Sequence, residues 1–178
     1  MGKLGAAAAP ALDGLVATLA DTDQDVRCSA ARALGKLGEA AAPSVPALIR
    51  LLSDSDHGVR WGAAEGLGNL GTASEAAVPG LTDLLSDQDD DVRSGAAGAL
   101  GKLGERGLTT AEAVPGMADL LADKEWHVRR SAAQALGRYG AAAASAVPQL
   151  NAALADEHPR VVNAATAALS RIIGPTLQ

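Results

Sequence analysis

Aspartates recur in short clusters along the chain, and carboxylates at such spacing could hold a calcium ion. The clusters are Asp21, Asp23 and Asp25; Asp54 and Asp56; and Asp87, Asp89, Asp90 and Asp91. A calcium-binding EF-hand loop also needs a glycine at its sixth position and a glutamate at its twelfth. Counted from Asp21, these positions hold Val26 and Arg32. Because carboxylates are favourable at helix N-termini, we interpret the clusters as helix caps rather than as metal sites.

A glycine motif, GLGNLG at residues 66–71, matches the G-x-G-x-x-G fingerprint of dinucleotide-binding proteins. In that fingerprint the glycines lie between a strand and the first turn of a helix, where backbone N–H groups face a pyrophosphate. Here the motif falls at the end of a predicted helix, and it aligns with ALGKLG at residues 33–38 and 99–104. We therefore interpret it as a coincidence of repeated glycines.

The remaining side chains that could do chemistry form no recognisable constellation. His57, His127 and His158 are too few and too scattered in the sequence for a metal site. Cys28, the single cysteine, has no histidine at helical spacing that could activate its thiol. The sequence therefore predicts no catalytic residues, no metal ion and no cofactor, and we expect a protein that is not an enzyme.

The composition disfavours several kinds of partner and compartment. The formal net charge is −6, which opposes nonspecific binding to nucleic acid or to anionic membranes. No uninterrupted apolar run is long enough to span a bilayer, so we expect no membrane segment. A single cysteine cannot form an intrachain disulfide, and we expect a reducing, cytoplasmic compartment.

The aspartates and glycines belong to a segment that is repeated along the chain. Copies of DVRCSAARALGKLG occupy residues 25–38, 58–71, 91–104, 127–140 and, in divergent form, 160–173. Successive copies start 33, 33, 36 and 33 residues apart. A fixed period in this range is typical of solenoid proteins. The step of 36 reflects three additional residues in GERGLTTAEAV, residues 104–114, which form either a surface insertion or a protruding contact loop.

Each unit carries two amphipathic helical patterns. In the first, Val45, Leu48, Ile49 and Leu52 fall at i, i+3, i+4 and i+7, which predicts a helix that we term the A helix. Prolines near its first residue mark the helix start, because proline is tolerated where backbone N–H groups lack an intrahelical partner. These prolines are Pro46, Pro79, Pro115 and Pro148.

The second pattern predicts a B helix, whose apolar stripe in the first copy is Val26, Ala30, Ala33, Leu34 and Leu37. We expect aspartates to cap its N-terminus and a glycine to follow its C-terminus. These glycines are Gly38, Gly71, Gly104 and Gly140. Two such helices joined by a short connection form an αα-hairpin, and stacked hairpins bury the apolar surface that a single hairpin leaves exposed.

The expected fold is all-α, an α-α superhelix of about five stacked helical hairpins. It forms a single solenoid over residues 1–178, with units at roughly 6–38, 39–71, 72–104, 105–140 and 141–174. Residues 1–5, MGKLG, match the last five residues of a B helix, so we expect them to be the tail of a partial preceding repeat.

The repeats resemble HEAT repeats, and especially the phycobilisome lyase HEAT-like repeats, whose units read much like AVPALIxLLxDxDxxVRxxAAxALGxLG. The resemblance covers nearly the whole chain and implies an armadillo-like α-solenoid. It also implies that an aspartate and an arginine six residues apart form a ladder of contacts between adjacent repeats. The matching residues are Asp21 and Arg27, Asp54 and Arg60, Asp87 and Arg93, and Asp123 and Arg129. The last unit departs from this pattern, because Val162 follows Asp156 at the same distance.

Positions that differ between copies of the B helix lie on one stripe. Their offsets of 0, 1, 4 and 8 residues from Cys28 span an arc of about 100° on a helix. Stacked B helices would align these stripes on the concave surface, which solenoids commonly use to bind partners. We predict that a partner binds there through Arg32, Lys36, Trp61, Glu65, Asn69, Lys102, Arg130, Gln134, Arg138 and Arg171.

The predicted surface is basic although the whole chain is acidic, which suits a protein or peptide partner of acidic character. An exposed Trp61 beside arginines has the composition of an interface hot spot. We therefore expect a non-catalytic protein-interaction scaffold. The resemblance leaves one alternative, a bilin lyase or phycobiliprotein-associated subunit. Nucleic-acid binding is a further alternative, which the net charge and the lack of stacking aromatics oppose.

Overall fold

The computed structural model describes residues 12–174, and all regular structure in that range is helical. The tail expected at residues 1–5 lies outside the described residues. Helices occupy residues 12–18 (α1), Gln24–Lys36 (α2), Val45–Leu51 (α3), His57–Leu70 (α4), Val78–Asp83 (α5), Asp90–Glu105 (α6), Ala113–Asp119 (α7), Trp126–Tyr139 (α8), Val147–Ala152 (α9) and Pro159–Ile173 (α10). Short 3₁₀ segments lie at Gly38–Ser44, Gly71–Ala77, Leu84–Ser86, Leu120–Ala122, Gly140–Ala146 and Ala153–Ala155.

Aspartate side chains start three of the long, even-numbered helices. Asp23, Asp56 and Asp89 have an extended backbone, and each carboxylate accepts a hydrogen bond from a backbone N–H of the first turn. Such caps satisfy N–H groups that have no partner within the helix. The interpretation of the acidic clusters as helix caps is therefore confirmed at these positions. At α10, Nδ1 of His158 accepts from the backbone N–H of Arg160 instead.

The odd-numbered helices are short, with six or seven residues in each of α3, α5, α7 and α9. Proline is the second residue of α3, α5 and α9, as its tolerance in a first turn predicts. In α7 the helix begins at Ala113, so Pro115 is its third residue. None of the helices described in residues 12–174 combines the length and the apolarity that crossing a bilayer requires.

The even-numbered helices pack side by side in chain order, and α4, α6, α8 and α10 each also pack on the short helix before them. Leucine, valine and alanine side chains between the two layers form one buried core along the described chain. In α6, Val92 and Leu103 are fully buried, because helices flank α6 on both sides. The predicted stripe of α2 is only partly buried, since Val26 and Leu37 are 36% and 48% exposed.

One predicted helix end is wrong. A glycine with positive φ follows α2, α4 and α8, at Gly38, Gly71 and Gly140. Gly104 instead lies inside α6, which continues to Glu105, and the positive φ of 92° falls on Gly107. The three additional residues of this unit allow the helix to continue before the chain reverses. Gly104 has a different role, because its missing Cβ leaves space for the ring of Tyr139 in α8.

Candidate partner-binding surface

Four arginines hold consecutive hairpins in register. In each case Nε and Nη2 of the arginine donate to the two carboxylate oxygens of an aspartate in the next hairpin, at 2.6–3.0 Å. The pairs are Arg27 with Asp54, Arg60 with Asp87, Arg93 with Asp123, and Arg129 with Asp156. The planar guanidinium matches a carboxylate in this two-point contact, which fixes direction as well as distance. Each pair therefore ties one hairpin to the next.

The same guanidinium groups also reach back into their own hairpins. Nη1 of Arg93 donates to the backbone carbonyl oxygens of Asp87 and Gln88, at 2.9 and 3.1 Å. The other three arginines make the equivalent contacts. An aspartate and an arginine six residues apart thus meet through the aspartate's carbonyl group. The carboxylates of Asp54, Asp87 and Asp123 instead bind the arginine of the preceding hairpin, whereas that of Asp21 accepts from the backbone N–H of Asp23. Asp156 is a ladder member that the predicted set omitted, and Val162 makes no further pair.

Pairing shifts the ionisation of the ladder carboxyl groups. The hydrogen bond from Arg27 lowers the pKa of Asp54, and the pKa of Asp156 is lowered by its arginine in the same way. Burial alone would raise the pKa of Asp87 and of Asp123, but hydrogen bonds from their arginines and from backbone N–H groups outweigh it, so both pKa values are lowered. All four carboxylates are therefore ionised at neutral pH.

The solvent-facing surface of α2, α4, α6, α8 and α10 carries most of the positions that differ between copies, and we term it the B-helix face. All ten residues predicted to bind a partner are at least partly accessible to solvent. Four are exposed, namely Arg32, Lys36, Gln134 and Arg171. Six are partly buried, namely Trp61, Glu65, Asn69, Lys102, Arg130 and Arg138.

Where α2, α4 and α6 meet, the predicted residues contact one another. Arg32 Nε lies 2.9 Å from Glu65 Oε2, and the Arg32 guanidinium lies over the Trp61 ring, with Cζ 5.0 Å from the ring centroid. The indole also lies against α6, because Gly95 has no side chain there; a Cβ on Gly95 would be 2.6 Å from Trp61 Cδ1. The expectation of an exposed tryptophan is therefore wrong, since Trp61 is partly buried between α2 and α6.

Polar contacts also join the middle of the B-helix face. Lys102 Nζ donates to Asn69 Oδ1 at 2.8 Å, and burial lowers the pKa of the Lys102 ammonium group. The hydroxyl oxygens of Ser94 and Ser131 lie 2.9 Å apart and share a hydrogen bond between α6 and α8. Polar side chains of α4, α6 and α8 are therefore engaged with one another in this region.

A groove of about 500 Å³ lies between α8 and α10, and we term it the arginine groove. Its cationic lining residues are Arg130, Arg138, Arg160 and Arg171. Most of the remaining lining is small or carries an amide, namely Ala133, Gln134, Gly137, Asn163, Ala164, Ala167 and Ala168. The one carboxylate in the lining belongs to Glu105, whose Oε2 lies 3.7 Å from Arg138 Nε.

The arginine groove is suited to binding an anionic group. Within residues 12–174, no carboxylate lies at ion-pair distance from Arg130 or Arg171. Guanidinium and amide groups donate hydrogen bonds in fixed directions, and carboxylate or phosphate oxygens accept them. The lining contains no serine, cysteine, histidine or lysine that could act as a nucleophile.

Two charged residues of the arginine groove, Arg160 and Glu105, are absent from the predicted set. Arg160 precedes Asn163, the first variable position of α10, by three residues, and at 100° per residue it falls inside the same arc. The equivalent residues of the other copies are Asp25, Gly58, Asp91 and His127. The variation at this position was visible in the sequence. The Arg160 guanidinium also lies over Trp126, with Cζ 5.4 Å from the ring centroid.

Comparison with known families identifies the repeats. A family model described as HEAT repeats matches residues 12–101 and residues 78–170, and the two matches together span most of the chain. The chain belongs to the HEAT-repeat family. The resemblance noted in the sequence is therefore confirmed, together with its all-α solenoid fold. A search of curated proteins finds no match.

Solved structures with HEAT or armadillo repeats share this fold. The complex of CpcE and CpcF of phycocyanin lyase from Nostoc sp. PCC7120 is 29% identical, with a TM-score of 0.78, over 90% of this chain and 64% of that chain. A designed armadillo repeat protein in complex with the peptide (KR)4 is 21% identical, with a TM-score of 0.75, over 92% of this chain and 82% of that one. A Kap121p mutant is 18% identical, with a TM-score of 0.78, over 93% of this chain and 19% of that one. The last two show the fold alone.

Proposed function

We propose that this HEAT-repeat chain is a non-catalytic interaction module that holds an acidic segment of a partner protein in the arginine groove. The observation that carries the proposal is the convergence of four arginines on a groove with a single carboxylate. A guanidinium binds a carboxylate through two parallel hydrogen bonds, so each contact contributes direction as well as attraction. The net charge of −6 repels any anionic ligand at long range, but charges farther from the groove than a Debye length are largely screened by salt, so the arginines dominate at contact.

The solved relatives support an interaction role at the level of the fold. The phycocyanin lyase structure is a complex of two proteins, and the designed armadillo protein is in complex with a peptide of alternating lysine and arginine. The groove of the present chain carries arginines, so it favours a ligand of the opposite charge. We infer that this fold supplies an extended surface, and that the side chains on the B-helix face select the ligand.

The test is fluorescence anisotropy with a labelled octaglutamate peptide as the probe. Wild type should bind it, and the affinity should fall as the salt concentration rises, because salt screens the charges. The double variant Arg130→Glu, Arg171→Glu should bind at least roughly tenfold more weakly, since both guanidinium groups become repulsive carboxylates. Circular dichroism should show that the variant remains folded, because both side chains are solvent-accessible.

A second double variant, Arg50→Glu with Lys124→Glu, is the matched control, because it changes the net charge equally at exposed positions outside the groove. It should bind octaglutamate nearly as well as wild type. An equal loss in both double variants would contradict a specific groove. Tighter binding of octalysine or of duplex DNA than of octaglutamate by wild type would contradict the acidic ligand.

A second candidate function rests on the 29% identity to the phycocyanin lyase structure. We infer as an alternative that the chain acts as a phycobiliprotein-associated lyase subunit. The chain spans 64% of that protein, so any shared activity would need further parts or a partner. The test is the absorbance of a phycobiliprotein incubated with bilin and the recombinant chain. Bilin attachment that requires the chain would favour this role, and an unchanged spectrum would argue against it.

A further inference from the structure

We propose that Asp90, Asp91 and His127 form a binding site for a divalent transition-metal ion between α6 and α8. One carboxylate oxygen of each aspartate and one imidazole nitrogen all lie within 4.8 Å of one another. Asp90 Oδ2 is 3.1 Å and Asp91 Oδ1 is 3.9 Å from His127 Nε2. The sequence predicted no metal site, because the histidines are far apart from one another along the chain. The stacking of hairpins instead places His127 beside aspartates of the preceding unit.

The geometry around His127 Nε2 is that of metal ligands rather than of a hydrogen bond. All three atoms are electron-pair donors, so a proton or a cation among them would relieve their mutual repulsion. Nε2 is shielded from solvent and makes no hydrogen bond, although Asp90 Oδ2 is only 3.1 Å away. A hydrogen bond needs the acceptor near the N–H direction. Two ligands of one tetrahedral ion, each about 2.1 Å from it, lie about 3.4 Å apart and off each other's lone-pair axes, and the two distances to Nε2 fall on either side of this value.

The charges around the cluster also favour a cation. Within residues 12–174, neither Asp90 nor Asp91 lies at ion-pair distance from a lysine or an arginine. Asp87 and Asp89 add negative charge nearby, although Asp87 is paired with Arg60. Two unpaired carboxylates from adjacent residues repel each other, and a divalent ion between them would turn this repulsion into attraction.

The side chains of the two aspartates are accessible to solvent, so water can complete the coordination of an ion. Asp90 is 42% exposed and Asp91 is 77% exposed, and the Asp91 carboxylate can rotate to close the 3.9 Å distance to His127. One imidazole nitrogen with two carboxylate oxygens suits Zn²⁺, Co²⁺ or Mn²⁺, whereas Mg²⁺ and Ca²⁺ prefer oxygen ligands alone. A bound ion would tie α6 to α8.

Isothermal titration calorimetry with Zn²⁺ and visible absorption with Co²⁺ test the proposal on the full chain. The Cys28→Ser background removes the thiol, which could otherwise bind either ion. We expect one ion per chain and visible absorption bands of bound Co²⁺. His127→Gln and Asp91→Asn should each weaken binding at least roughly tenfold. Asp25→Asn is the matched control, because Asp25 occupies the equivalent position of α2 and is exposed.

Thermal unfolding gives a second readout of the same ion. Zn²⁺ should raise the melting temperature of wild type and of Asp25→Asn but not that of His127→Gln, because an ion that binds the folded state stabilises it. Circular dichroism without metal should show that all variants are folded. If wild type binds no ion, or if His127→Gln binds Zn²⁺ as tightly as wild type does, the proposal is overturned and the cluster is an ion pair only. Neither result depends on the partner proposed for the arginine groove.

Discussion

At the scale of residues, the ladder carboxylates make stability depend on pH in a defined direction. Hydrogen bonds from Arg27 and Arg129 lower the pKa values of Asp54 and Asp156 respectively. In the unfolded chain an aspartate has a pKa of roughly 3.9. A carboxylate with a lowered pKa stabilises the fold above the unfolded-state pKa, and this contribution is lost as the pH falls through the folded-state pKa. We therefore expect the free energy of unfolding to fall as the pH drops below about 4.

Urea unfolding at a series of pH values measures this effect, and Asp156→Asn is the informative variant. The asparagine cannot ionise, so the variant should be less stable than wild type at neutral pH and should lose less stability between about pH 5 and pH 3. Asp13→Asn, which changes a carboxylate outside the ladder, is the control and should follow the wild-type profile. Identical profiles for wild type and Asp156→Asn would show that this ladder pair contributes nothing to acid sensitivity.

Several residue contacts of the B-helix face could have been predicted from the period alone. Arg32 and Glu65 occupy the same position in consecutive copies, and so do Asn69 and Lys102. Stacking places such positions side by side, and both pairs are in contact. A count of charges gives the net charge around α2 to α6 but not which of these side chains meet. The cluster of Asp90, Asp91 and His127 was harder to predict. Asp91 and His127 occupy equivalent positions in consecutive copies, but Asp90 lies one residue before that position.

At the scale of helices, glycines determine how closely neighbours approach. A Cβ on Gly66 in α4 would lie 2.7 Å from the carbonyl oxygen of Ala31 in α2, so the two backbones are in contact. A Cβ on Gly98 in α6 would meet no atom within 4 Å. Gly66→Ala should therefore push the helices apart and destabilise the fold by roughly 1–3 kcal/mol. Gly98→Ala should stabilise it by up to about 1 kcal/mol, because alanine is the better helix former.

Urea unfolding of the two variants measures this contrast. The same glycine-to-alanine change should lower the free energy of unfolding at position 66 and raise it at position 98. A Gly66→Ala variant as stable as wild type would mean that α2 and α4 do not need this close approach. From the sequence alone both glycines represent only a cost in helix propensity, because the distance between helices cannot be derived from one helix. The helices themselves were predictable, since repeated apolar spacing and caps recur in copy after copy. The end of α6 was not, because the insertion breaks that repetition.

At the scale of the whole molecule, the chain is a row of hairpins in which each hairpin contacts mainly its neighbours. The stability of such a row is approximately the sum of the terms for single repeats and for the interfaces between neighbours. The four ladder pairs lie at these interfaces. The position of a pair along the row should therefore determine which hairpins are released when the pair is removed. The arginine groove and the proposed metal site lie at different interfaces, between α8 and α10 and between α6 and α8.

One substitution placed at two interfaces tests this additive behaviour. Asp123→Asn removes the carboxylate that Arg93 binds, at the interface between α6 and α8, whereas Asp156→Asn removes the one that Arg129 binds, between α8 and α10. Hydrogen exchange measured by mass spectrometry should show faster exchange on both sides of the central interface in Asp123→Asn. In Asp156→Asn the increase should be confined to α9 and α10, because only the last hairpin is released. A uniform increase in every helix of both variants would instead show that the solenoid opens as one cooperative unit, in which the position of a ladder pair does not matter.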